Sequence, residues 1–514
     1  MSDADEAYKE LIRQARETAN LASIGALLSW DQETMMPVRA AAFRAEQLSL
    51  VARLAHERAT DPRLGELLDR CDADSELTSD PPVAANLREM RRDYARLTLL
   101  PSELVAEISE TSSRALEVWK VARRDNDFQA MLPWLEKQFE LARRKAECYG
   151  APKGGELYDA LLEDYEPQMT GKELERIFEP LRVGLTQLIT SIGAARHRPD
   201  DAPDSCRVPI DRQRRFSERI LDRIGFERSA GRLDVSTHPF STGIAPGDTR
   251  ITTRYGETRF ADALGSTMHE AGHAMYEQGL PRDRHFGEPL GESLSLGYHE
   301  SQSRLWENHV GRSRAFWQWA LPVAAKELGS GLERFSVDEV YEAVNAVRPS
   351  LIRVESDELT YNLHIMLRFD IERALLRGEL AVRELPEAWN CRMLDDLGVK
   401  VPDDTRGCLQ DIHWAMGSIG YFPTYTLGNL YAAQIWETIT RALPDLDEQM
   451  SRGEFGPLLG WLREQIHAHG RCYRAAELCV RVTGKPLGHE PLMRHLDSKL
   501  RPIYRLDDNP ASVG

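Results

Sequence analysis

Residues 260–281 read FADALGSTMHEAGHAMYEQGLP, and the fold and chemistry of the chain are read outward from them. Phe260, Leu264, Met268, Ala271 and Met275 recur at helical spacing, which predicts an amphipathic helix. Gly279 and Pro281 then close it, as a C-terminal glycine and a following proline do. Residues four apart share one face of a helix. His269 and His273 therefore present two imidazoles to one side, able to sit about 2.0–2.1 Å from a single zinc ion. Glu270 follows the first histidine, where its carboxylate suits a general base for a metal-activated water. Six of the 14 histidines, at 238, 269, 273, 285, 299 and 309, fall within 72 residues, where an even spread puts about two.

A zinc site of this kind needs a third protein ligand. The next segment, GEPLGESLSLGYHESQSRLWENH, offers Glu292, His299 and Glu300. Glu300 lies 27 residues past His273, a separation that suits two antiparallel helices. Spacing alone does not choose among the three.

The surrounding chain reads as helix almost throughout. A helical stripe through Leu21, Ile24, Leu27 and Leu28 is expected to break over Asp31–Pro37, with a second helix through Phe43, Leu48 and Val51. Asp80 and Pro81 form an N-cap and first-position pair. The Pro- and charge-rich stretch 196–209 (RHRPDDAPDSCRVP) is the clearest loop of the first half. Between 231 and 256 the texture becomes β-branched and alternating, which predicts a small antiparallel sheet. The tail from 505 to 514 is expected to be mobile. No repeat and no composition shift marks a boundary, so residues 1–514 read as one mainly α fold around a groove, at most two-lobed.

Composition narrows the function. The chain has 514 residues, 42% hydrophobic and 29% charged, which is ordinary globular usage. Its 65 basic and 82 acidic side chains leave a formal net charge of −17, which argues against nucleic acid or an anionic membrane as partner. No 18-residue apolar window suggests a membrane span. The start, MSDADEAYKE, has no apolar leader. Seven scattered cysteines without a C-x-x-C pair suit reduced thiols, and so a cytoplasmic location.

Beside H-E-x-x-H, the run His299-Glu300-Ser301-Gln302-Ser303 resembles the carboxypeptidase Taq family of metallocarboxypeptidases. Asp248 to Thr252 matches that family's D-x-R-x-T segment, and Ile352 to Asp357 is similar to its I-R-x-x-A-D motif, with Ser356 in place of alanine. Gly407 to Trp414 matches G-x-x-Q-D-x-H-W, and DVSTHPF (234–240) and YFPTYTLGN (421–429) look alike too. The likeness spans nearly the whole chain, from the Ser29-Trp30-Asp31 region onward.

That resemblance implies a zincin-like helical fold with a deep groove, a homodimer, and one divalent metal per subunit. The metal is expected to be zinc, with cobalt or manganese able to substitute. It also implies broad removal of C-terminal residues from peptides, with proline disfavoured. Glu300 becomes the third ligand, and His299 a neighbouring or substrate-side group. A free α-carboxylate is best held by the planar fork of arginine. Arg353 is the first choice by motif and Arg348 the second. His413, Tyr421 and Tyr425 are candidate donors to the oxyanion or substrate. His238 and Arg250 flank the sheet, where Thr249 to Thr253 is expected to be an edge strand open to substrate backbone. His285, after a loop, is a weaker candidate for substrate contact. The competing readings are a zinc endo-oligopeptidase, an aminopeptidase (for which no G-x-M-E-N-type segment is present) and a non-catalytic helical metal scaffold.

Overall fold

The computed structural model describes residues 2–329 and 331–506. Helix α1 (Asp3–Thr34) starts on a capping box in which Ser2 and Asp5 satisfy each other's backbone amides. It does not break at Asp31. The Asp31 carboxylate instead takes Arg44 at 2.6 Å from the returning helix α2 (Ala41–Ala59). The break comes at Met35–Pro37, where proline bars its predecessor from helical geometry. Near its end α1 carries Trp30, buried beside the guanidinium groups of Arg232 (5.0 Å) and Arg250 (4.2 Å). A small apolar cluster under the start of α1 unites Ala7, Leu11, Leu64, Leu67, Leu68, Cys71 and Leu87. A far larger core runs from Ala115 to Leu506.

Residues 195–209 form the expected irregular connection. The sheet that follows is mixed, a correction to the antiparallel expectation. Strands β1 (Gly231–Val235), β2 (Ser241–Ala245) and β3 (Asp248–Thr253) lie in the order β1-β3-β2. β2 folds back on β3 as a hairpin, which returns β3 to the direction of β1, so that pair is parallel. Thr252 fastens the intervening loop through its hydroxyl, to Ser236 at 2.7 Å and to the Phe240 amide at 2.9 Å. β3 is thus the central strand, and both of its edges are already paired. It cannot add an extended substrate, which corrects the expectation of an open edge.

Helix α3 (Phe260–Gly279) packs along β3 and against helix α4 (Leu296–Arg304). Gly272 sets that second contact. A Cβ there would lie 2.5 Å from the Gln302 carbonyl oxygen and 2.6 Å from the Ser303 Cα. The two backbones touch because one of them has no side chain. α4 runs directly into a π-helical turn, Leu305–Gly311, a distortion frequent at functional sites. Helices α5 (Tyr361–Arg377) and α6 (Pro423–Ala442) are buried on nearly all sides. At Gly428, α6 presses on Glu300 so closely that a Cβ would meet its Cγ at 2.4 Å. Of the expected mobile tail, Leu506 is buried in the core, and residues 507–514 lie outside those described.

Two glycines of α3 make opposite predictions. Gly265 faces open space, so Gly265→Ala should stabilise the protein by about 0.5–1 kcal/mol. Gly272→Ala should destabilise it by about 1–3 kcal/mol through overpacking. Denaturant unfolding of the two variants checks both signs.

Candidate metal centre

Among the described residues, His269, His273 and Glu300 are the group whose ligand atoms converge, all within 4.8 Å of one another. α3 supplies the histidines one turn apart, with rings nearly perpendicular and centroids 4.9 Å apart. α4 supplies Glu300, whose Oε2 lies 3.4 Å from His273 Nε2 and 3.7 Å from His269 Nε2. Ligands at about 2.0–2.1 Å around a tetrahedral ion stand about 3.3 Å apart. Both Glu300 separations are close to that value, and all three atoms are near enough to share one divalent cation.

The ligand atoms are held from behind. His269 Nδ1 pairs with Glu307 at 2.9 Å, which leaves Nε2 for the site. Arg304 binds Glu300 Oε1 at 2.7 Å and Glu307 Oε2 at 3.1 Å. Its charge holds both carboxyl groups below their usual range, against the burial that acts to raise them. His273 stacks on His299, with centroids 4.5 Å apart. His299 in turn pairs with Glu277 at 2.8 Å, and Glu277 with Arg282 at 2.8 Å.

Glu270 is 7% exposed and takes no hydrogen bond among the described residues. Burial pushes its carboxyl up to about 7, with His269 opposing and Glu300 and Glu307 reinforcing.

A second cluster adjoins the first. Asp411 accepts Arg353 on one oxygen, from Nε at 3.0 Å and Nη2 at 2.8 Å. Its other oxygen accepts Arg368 Nε at 2.7 Å. Arg353 Nη1 donates to the Tyr361 hydroxyl at 2.9 Å, and its guanidinium lies 5.0 Å from the Tyr425 ring. His413 Nε2 is 3.2 Å from the Tyr425 hydroxyl. Burial lowers the His413 imidazole to about 4, so it is neutral at pH 7. Tyr421 packs against both His413 and Tyr425, at centroid distances of 5.3 and 5.4 Å.

Other expected residues lie elsewhere. Arg348 is at a half-exposed surface, paired with Asp201. His238 is exposed, and Ser236 binds its carbonyl. Arg250 is bound by Asp248 at 2.8 Å and stacked on Trp30. Glu292 binds Arg282, and His285 pairs with Glu288 at 3.0 Å. Four neighbours of the site are not singled out by the sequence: Arg304, Glu307, Tyr361 and Arg368. Glu307 and Arg304 do carry a signal there, lying seven and four residues after Glu300 and so on one helical face.

Residues 10–500 match the family model described as carboxypeptidase Taq (M32) metallopeptidase. The chain is 46% identical to thermostable carboxypeptidase 1 of Thermus thermophilus, over 97% of this chain and 99% of the relative. It is 35% identical to carboxypeptidase 1 of Bacillus subtilis, over 97% and 99%. Among solved structures it resembles the M32 carboxypeptidase from Deinococcus radiodurans, with a TM-score of 0.94, 40% identity and coverage of 97% and 100%. It also resembles Trypanosoma cruzi metallocarboxypeptidase 1, with a TM-score of 0.91, 35% identity and coverage of 96% and 99%.

If Glu307 orients His269, Glu307→Gln should weaken divalent-cation binding by about 10–100-fold while leaving the fold intact. Competition against a chromophoric chelator, with circular dichroism as control, measures both.

Proposed function

The chain belongs to the carboxypeptidase Taq (M32) metallopeptidase family, and on that premise we propose that it releases residues singly from the C-terminus of peptides, with broad preference and proline disfavoured. It is a metallocarboxypeptidase, and its residues divide the work by charge and position.

His269, His273 and Glu300 would hold the divalent cation, zinc by donor type, with cobalt or manganese able to replace it. When bound, the cation supplies a Lewis acid that polarises the scissile carbonyl and acidifies water. Glu270, next in sequence to the ligand His269 and almost fully buried, takes the proton from the attacking water and delivers it to the leaving amine. Tyr421 and His413 offer neutral donors beside the developing oxyanion, and Tyr425 positions His413. His299 braces His273 through the ring stack.

One observation carries the exopeptidase reading. Arg353 and Arg368 share a single carboxylate, Asp411, so the cluster keeps an unbalanced positive charge beside the metal ligands. Three of the five Arg353 N–H groups are engaged, and two remain for a substrate carboxylate. Arg348, already paired at the surface, has no part in this. A C-terminal proline is a poor fit because its ring fixes φ and removes the amide hydrogen at the scissile bond. The homodimer expected from the resemblance belongs to the same proposal. So does the cytoplasmic location, which all seven cysteines being free supports.

Glu270→Gln should retain the metal, measured by elemental analysis, and lose at least about 10²-fold in turnover. A peptide amidated at its C-terminus should resist the wild-type enzyme in a mass-spectrometric ladder assay. Full activity of the variant overturns the role of Glu270. Cleavage of the amide at the rate of the free acid overturns the exopeptidase reading in favour of an endo-oligopeptidase.

A further inference from the structure

Tyr361 is the first residue of α5, eight residues past Arg353, and is 6% exposed. It stands between the two clusters and touches both. The Arg304 guanidinium lies over its ring at 4.4 Å, while its hydroxyl accepts Arg353 Nη1 at 2.9 Å. A phenol that accepts a hydrogen bond still has its own hydrogen to give. Among the described residues no acceptor takes it.

We propose that Tyr361 is a substrate-binding residue for the terminal carboxylate. Its hydroxyl, polarised by accepting from Arg353, donates to one carboxylate oxygen while the two unengaged Arg353 N–H groups bind the anion. This rests on the reading of Arg353 as the carboxylate-binding arginine. Three donors then converge on one anion, two of them from a cation whose charge Asp411 only partly cancels.

The ring has a second consequence. Glu300 Oε1 is bound to Arg304 at 2.7 Å, Arg304 stacks on Tyr361, and Tyr361 holds Arg353. Candidate metal ligand and carboxylate-binding arginine are thereby joined by a chain of direct contacts.

Tyr361→Phe tests the hydroxyl alone, because phenylalanine keeps the ring and its stack with Arg304. With a blocked dipeptide bearing a free C-terminus, the KM of Tyr361→Phe should rise about tenfold, the value of one hydrogen bond to a charged group. Its kcat should stay within about twofold, and metal content and unfolding midpoint should match wild type. A merely structural tyrosine would move the midpoint, metal content or kcat and leave KM unchanged, and that result overturns the proposal. Arg353→Gln, assayed alongside, separates the two layers. If Arg353→Gln raises KM and Tyr361→Phe does not, the role of Tyr361 is overturned and the reading of Arg353 stands. If Arg353→Gln leaves KM unchanged, the reading of Arg353 falls and this proposal falls with it.

Discussion

Glu300 is a buried carboxyl that burial acts to neutralise and Arg304 and the histidines hold in its charged form, and its neighbourhood follows from that. An unpaired carboxylate buried in protein costs several kcal/mol. Arg304 takes one oxygen, and two imidazoles face the other. Arg304 in turn is a buried cation that must be answered, and Glu307 answers it while also holding His269. Each group that satisfies one demand thus creates another, and the chain of demands ends only at Arg312 and Tyr361. The helices are brought close enough for this by glycines, Gly272 between α3 and α4 and Gly428 between α4 and α6.

The same logic, with the sign reversed, governs the neighbouring cluster. Asp411 carries two arginines and is held well below the usual carboxylate range, with burial opposing and Arg353 and Arg368 prevailing. The loop that bears it is anchored by Glu372, which accepts Trp414 Nε1 at 2.8 Å, the Gly420 amide at 3.1 Å and the Tyr158 hydroxyl at 2.9 Å. One carboxylate therefore pins the chain at Trp414, directly after His413, and again at Gly420. A cluster with two arginines on one aspartate, beside one rich in carboxylates, suits a substrate with a polarisable carbonyl at one end and a carboxylate at the other.

Much of this is legible in the sequence, and the limits of legibility have physical causes. The 3.6-residue periodicity around HEAGH gives the helix, its ends and the shared face of His269 and His273. The family resemblance singles out Glu300, which spacing leaves level with Glu292 and His299. Strand order is not legible, because β-branched alternation marks strands without saying which lies in the middle. The packing of Arg250 is not legible for the same reason. Its motif is a packing device, an Asp248–Arg250 pair that seats Trp30. Arg348 and Arg353 look alike in sequence, five residues apart. The motif ranks Arg353 first, and the fold sends Arg348 to a surface aspartate and Arg353 to Asp411. Tyr361 is unreadable because its contacts come from Arg304, 57 residues earlier, and from Arg353 across a turn.

Gly272 bears on how a short signature should be read. Two letters of H-E-x-x-H are left open, as though chemistry had no use for them. In this chain the first, Ala271, is fully buried, and the second lies against a neighbouring backbone that admits no Cβ. A library that randomised both positions and selected for folding should return a small apolar residue followed by glycine. The pattern's wildcards are thus blank for catalysis and occupied for architecture.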